Sequence, residues 1–115
     1  MSTPINWLAA DFAVAPQLSP DQVRALAAQG FKSVINNRQE HEPGQPPEAE
    51  LRAAAAEANL RYERQPVNPA QIRVEDVARF AELIETLPRP ILAFCRSGSR
   101  SSILYRAVIE GVHRR

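Results

Sequence analysis

The stretch ILAFC, Ile91 to Cys95, constrains the chain most. It is five apolar residues in a row, preceded by Pro88 and Pro90 and followed by the polar run RSGSR. Successive side chains of a strand point to opposite faces of its sheet. A strand that is apolar on both faces therefore belongs in the middle of a sheet with helices over each side, the usual setting of a largely parallel sheet.

The rest of the chain alternates helix and strand as such a sheet requires. In QLSPDQVRALAAQGFKSVIN, Ser19 can cap a helix, Pro20 suits its first position and Gln22 completes a capping box. Val23, Leu26 and Ala27 form its buried stripe, and Gly30 supplies a left-handed stop before a strand from Phe31 to Asn36. The turn-rich loop NNRQEHEPGQPP leads to a second helix over EAELRAAAAEAN, with Leu51, Ala54, Ala55 and Ala58 on one face. LRYERQPV reads as a short strand, and Pro66 places its end at an edge or a terminus of the sheet. The third helix runs from about Val74 to Leu87, with Val77, Phe80, Ala81, Ile84 and Leu87 at helical spacing. The last starts at Arg100 or Ser101 and is expected to bury Ile103, Leu104, Ala107 and Val108. Upstream, FAVAPQ reads as a short edge strand. The order predicts a single α/β domain over residues 1–115, a three-layer sandwich whose largely parallel central sheet is flanked by helices.

Composition sets limits on function. At 115 residues, 44% hydrophobic and 23% charged, the chain suits one soluble core. No apolar run approaches the roughly 18–20 residues that span a bilayer, and MSTPINWLAADF lacks the basic start and apolar block of a secretory signal. A cytoplasmic location and no membrane partner are expected. The net charge of +1 gives no broad field for nucleic acid. A lone cysteine excludes an internal disulfide and a Cys-based zinc site. His41 and His113 have no neighbouring ligand pattern, so no metal or other cofactor is expected. His41, in RQEHEPGQPP, reads as a solvated loop residue.

Cys95 stands where the central strand gives way to the last helix, and ligands of such folds bind beyond the carboxyl ends of the strands. The turn gathers backbone N–H groups around a concavity into which the helix directs its positive end. Gly98 lets the backbone curl there. The amides, together with Arg96 and Arg100, favour a thiolate and hence a nucleophilic cysteine. Cys95 and Arg100 are the expected catalytic pair, with Arg100 facing a bound anion. Arg96, Ser97, Gly98, Ser99 and Ser101 complete the expected anion cradle. If the sheet is mainly parallel, the loops after Asn36 and Val67 open on the same side, which adds Asn36, Asn37, Arg38 and Asn68 as pocket candidates.

CRSGSRS resembles the active-site loop of rhodanese sulfurtransferases, Cys-x-x-Gly-x-Arg. Over nearly all of residues 6–108 the chain is similar to the bacterial beta-lactamase-hydrolase-like, phosphatase-like domain, a family of unknown function. The matching stretches are FAVAPQLSPDQV, LAAQGFKSVINNR, EPGQP, RYERQPV and ILAFCRSGSRSSILY. The resemblance implies a fold similar to dual-specificity phosphatases. Members of the family occur alone or fused to a persulfide dioxygenase-type metallo-hydrolase domain, which implies such a protein as a partner and a place in sulfide metabolism.

Two enzyme readings compete. The phosphatase signature is His-Cys-x5-Arg with an upstream Asp as acid. Here Phe94 holds the His position, Ser101 stands where the arginine would fall, and Arg100 comes one residue early. PVNPAQIRVED offers Asn68 and Gln71 where an acid might be sought, and its one Asp, Asp76, lies in the helix. Expelling an alkoxide needs a proton donor, whereas a sulfite or thiolate leaves unprotonated. The short loop and the missing acid therefore favour a sulfurtransferase that carries sulfane sulfur from thiosulfate or glutathione persulfide as a Cys95 persulfide. A phosphatase with a Cys95 phospho-enzyme is the alternative. A non-catalytic anion-binding or partner module is the third reading.

Overall fold

The computed structural model describes residues 4–114. Its elements are β1 (Asn6–Ala9), β2 (Phe12–Ala15), α1 (Pro20–Leu26), β3 (Ser33–Asn36), α2 (Glu48–Glu57), β4 (Arg61–Arg64), α3 (Val74–Thr86), β5 (Ile91–Phe94) and α4 (Ser99–Ile109). Short 3₁₀ turns follow α1 at Ala27–Gln29 and α4 at Val112–Arg114. The strands form one sheet in the order β1-β2-β5-β3-β4. The last four positions of that order run parallel, and β1 pairs antiparallel with β2.

The apolar run of β5 takes the central position its composition requires, and the alternation of its side chains divides the core in two. Leu92 and Phe94 join Ala13, Ala15 and Val34 against Val23 and Leu26 of α1 and Leu51 and Ala54 of α2. Ile91 and Ala93 join Phe12, Val14 and Ile35 against Val77, Phe80 and Leu83 of α3 and Leu104 of α4. The result is an α/β sandwich of three layers.

Local chemistry sets the helix ends. The Gln22 amide donates to Ser19 Oγ at 3.1 Å, and the Ser19 amide donates to Gln22 Oε1 at 2.8 Å, closing the capping box that starts α1. Gly30, at φ 95°, ends the turn after α1 in the left-handed region. At the start of α3 the Asp76 carboxylate accepts from the Arg73 amide at 2.8 Å, so the one Asp of that segment serves as a cap.

Four expectations change. Ala27 is exposed and lies beyond α1, whose buried residues are Val23 and Leu26. FAVAPQ contributes not an edge strand but β2, buried at every position and paired on both sides. The edge is instead β1, whose residues are exposed or half-buried and carry no strong apolar pattern. Its Trp7 stacks on Phe31 with ring centroids 4.9 Å apart, which places Phe31 ahead of the strand it was expected to begin. Ile103 is 52% exposed, because the first turns of α4 border an open cleft. No helix of the described residues is long and apolar enough to cross a membrane.

Candidate active site

Because β5, β3 and β4 are parallel, the loops that follow them open on one edge of the sheet, and a cleft of about 510 Å³ lies between them. Cys95 is at its floor. Arg96, Ser97, Ser99, Arg100 and Ile103 come from the loop after β5 and from α4, and Arg38, Gln39, His41, Glu42 and Pro43 from the loop after β3. Asn68, Pro69 and Ile72 come from the segment before α3.

The Cys95 residue is only 1% exposed. Its sulfur accepts a hydrogen bond from the Gly98 amide at 3.0 Å, while its own amide donates to Ala15 O at 3.4 Å and the Gln17 amide to Arg96 O at 3.2 Å. The loop is thus laced to the end of β2, and Cys95 lines the cleft. Gly98 holds φ 95°, the left-handed geometry that turns its N–H toward the sulfur. Ser97 and Ser99 link their hydroxyls at 2.8 Å. Because α4 begins at Ser99, the amides of its first turn have no partner within the helix, and that of Ser99 donates to Ser97 Oγ at 3.3 Å.

Gly98→Ala tests this geometry. A Cβ there would sit 3.4 Å from the Ala15 carbonyl carbon, an ordinary contact, so the strain is in φ rather than in space. We expect a loss of about 1–2 kcal/mol in urea unfolding, together with a loss of activity, since the amide that meets the sulfur would have to turn away. Unchanged stability would show that the loop can reshape.

The arginines are organised by a residue absent from the sequence reading, Glu42. Arg100, 6% exposed, donates through Nη1 to Glu42 Oε2 at 2.8 Å and through Nη2 to Glu42 Oε1 at 3.1 Å. Nη1 also reaches the Asn37 and Val67 carbonyls at 2.9 and 3.0 Å. Arg38 Nε donates to Glu42 Oε1 at 3.1 Å, and its other nitrogens reach Gln17 Oε1 and Pro43 O. Hydrogen bonds from Arg100, then from the Gln39 amide and Arg38, hold the Glu42 carboxyl down to about 2 against the opposing effect of burial. Arg100 therefore does not offer its whole guanidinium to an anion. Its terminal nitrogens are engaged by protein, and Nε is buried without a partner among the described residues.

The other candidates divide. Asn36, Asn37 and Ser101 are fully buried and brace the site from behind. Asn36 donates to Tyr62 Oη at 3.0 Å and accepts from the Arg38 amide at 2.9 Å. Asn37 donates to Gln65 O at 3.1 Å and accepts from Ser101 Oγ at 2.8 Å. With their polar atoms so occupied, none of the three reaches the cleft, because a buried amide or hydroxyl needs its partners inside the fold. Arg38, Asn68, Arg96, Ser97 and Ser99 do line it. His41, expected in open solvent, is exposed but also lines the cleft. No local pattern marks Glu42 or His41 in the sequence; the loop NNRQEHEPGQPP shows only its turn formers.

A central parallel strand, a cysteine at its carboxyl end, an arginine at the following helix start and helix pairs on both faces define a phosphatase-like α/β domain. The chain belongs to the family described as beta-lactamase hydrolase-like protein, phosphatase-like domain, which matches residues 5–110. It is similar to a beta-lactamase hydrolase-like protein of Agrobacterium fabrum, 38% identical over 82 residues, 70% of this chain and 19% of that one. A protein of the same name from Xylella fastidiosa is 35% identical over 102 residues, 86% of this chain and 24% of that one. The chain thus spans about a fifth to a quarter of these relatives. Among solved structures, a putative phosphatase of Neisseria meningitidis superposes with a TM-score of 0.80 at 33% identity, over 88% of this chain and 72% of that one. The core catalytic domain of a PP-IP phosphatase from S. cerevisiae, solved in complex with citrate, shares the fold with a TM-score of 0.76 at 14% identity, over 96% and 67% of the two chains.

Proposed function

We propose that this domain is a cysteine-dependent phosphatase that hydrolyses a phosphate monoester carried on an apolar or aromatic body. The observation that carries the proposal is the lining of the cleft. Arg38, Arg96 and Arg100 line the cleft with one carboxylate, Glu42, which pairs with Arg38 and Arg100, leaving a surplus of two positive charges in the lining that holds Cys95, matched to a dianion. Pro43, Pro69, Ile72 and Ile103 supply an apolar wall. Thiosulfate has no use for such a wall, whereas the organic part of an ester fills it. The cleft also lies within the roughly 300–1,000 Å³ common for small-molecule sites, so the short loop does not by itself exclude a phosphoryl group. The description of the family and of the Neisseria protein weighs on the same side, away from the sulfur transfer suggested by loop length.

In this reading the Cys95 thiolate attacks phosphorus, the S–P bond forms as the ester P–O bond breaks, and water then hydrolyses the phospho-cysteine. The amides of the loop and of the first turn of α4 stabilise the equatorial oxygens. Arg100 Nε, a buried donor that costs about 1–3 kcal/mol while unsatisfied, gains an acceptor when phosphate enters.

The purified protein, offered nitrophenyl phosphate and, separately, thiosulfate with cyanide, is expected to release phosphate and to yield a phosphorylated species by intact mass after acid quench. Thiocyanate formation with one sulfur added at Cys95, and no phosphate release, would sink the phosphatase reading. Anion binding with neither reaction would leave a binding module.

A further inference from the structure

An in-line displacement at phosphorus places the leaving oxygen opposite the attacking atom. With Cys95 at the floor of the cleft, the leaving oxygen of a bound ester points to its mouth, and a proton donor for it must stand at the rim. The missing upstream Asp leaves that place open. Asn68, before α3, can donate a hydrogen bond but cannot give up a proton. Glu42 is held as a carboxylate by Arg38 and Arg100, so it has no proton to give. Arg38, Arg96 and Arg100, the other charged groups of the lining, do not deprotonate in proteins.

One proton-transferring side chain of the lining remains, and it is at the rim. His41 is exposed and lines the same cleft as Cys95. Its loop is fixed on both sides. Arg38 is bound to Gln17 and Pro43, and Glu42 accepts from the Gln39 amide at 2.7 Å. Gln45 Nε2 donates to the Gln39 and Glu42 carbonyls at 2.8 and 2.9 Å. An imidazole donates a proton from one ring nitrogen when charged and accepts one there when neutral, which suits a group that must give a proton in one step and take one in the next.

We infer that His41 is the general acid and base of the phosphatase reaction, an inference that rests on the function proposed above. As Cys95 sulfur bonds to phosphorus, the electron pair of the breaking P–O bond stays on the leaving oxygen, which takes the proton of the His41 imidazolium. The neutral imidazole then takes a proton from the attacking water as the S–P bond breaks and the Cys95 thiolate returns.

The experiment compares two esters in the unmodified protein and in His41→Ala and His41→Gln. Phenyl phosphate has a leaving group that needs a proton, and dinitrophenyl phosphate has one that does not. In kcat/KM, which ends at departure of the phenol and so isolates the acid step, both variants should lose about 10²-fold on phenyl phosphate and only a few-fold on dinitrophenyl phosphate, with unfolding midpoints unchanged. Equal losses on both esters, or none on either, would overturn the role of His41 while leaving the phosphatase intact. Absence of Cys95-dependent turnover of both esters by the unmodified protein would overturn the two proposals together.

Discussion

Cys95→Ser should reduce phosphate-ester turnover by at least about 10³-fold, the scale of removing a covalent nucleophile, and leave the unfolding midpoint nearly unchanged. The substitution swaps a strongly nucleophilic sulfur for a hydroxyl that is a far weaker nucleophile, so the attacking group is lost. Little else changes, because the Gly98 amide now 3.0 Å from sulfur finds an acceptor in the serine oxygen. The arginines and apolar wall are untouched, so the variant should still bind the ester. Turnover assays alongside calorimetric titration with a slow substrate separate the two effects. Residual activity within about tenfold of the parent would mean that another group attacks phosphorus.

The second large effect is on stability. Glu42→Ala should cost about 3–5 kcal/mol, the range for removing one partner of a buried ion pair, because Arg38 and Arg100 side chains are 3% and 6% exposed and both lean on this carboxylate. Glu42→Gln keeps the size of the side chain and should be milder while moving in the same direction. Inorganic phosphate should restore part of the loss, since two guanidinia freed from Glu42 become free for the anion. The unmodified protein carries a matching pH signature. The Glu42 carboxyl is lowered from 4.5 to about 2 on folding, so its contribution is complete above about pH 4.5 and disappears as the pH falls through about 2. That contribution is on the order of 3 kcal/mol. Urea unfolding at neutral pH and at acid pH measures it. If Glu42→Ala unfolds at the parent midpoint, the carboxylate is not what steadies the two arginines.

Which parts of this molecule were legible in its sequence follows the range of the interactions involved. The α1 capping box, the stripe of α3 and the start of α4 within about one residue depend on neighbours three or four positions away, and the apolar run of β5 announces its own burial. β2 was readable as a strand but not as an interior one, because its inner neighbour β5 lies far along the chain. The site divides in the same way. Cys95, Gly98 and Arg100 stand within one turn and declare their joint geometry, whereas Glu42 meets Arg100 only after folding. Asn36 and Asn37 mislead because position alone does not show which way a polar side chain is turned; hydrogen bonds to Tyr62 and Gln65 take both inward.

The placement of β5 between β2 and β3 also governs when the domain can form at all. Phe12 of β2 pairs with Ile91 of β5, a contact closing about 80 residues of chain, and contacts of such separation slow folding. Until Ile91–Phe94 arrives, β1 with β2 and β3 with β4 are only two separate two-stranded ribbons, each marginal by itself and each with an open apolar edge that invites wrong pairing. On a ribosome, the chain would have to emerge as far as Phe94, next to Cys95, before its sheet could close. The strand that ends just before Cys95 is the keystone of the assembly, and a nascent chain without it lacks the central pairing of its sheet.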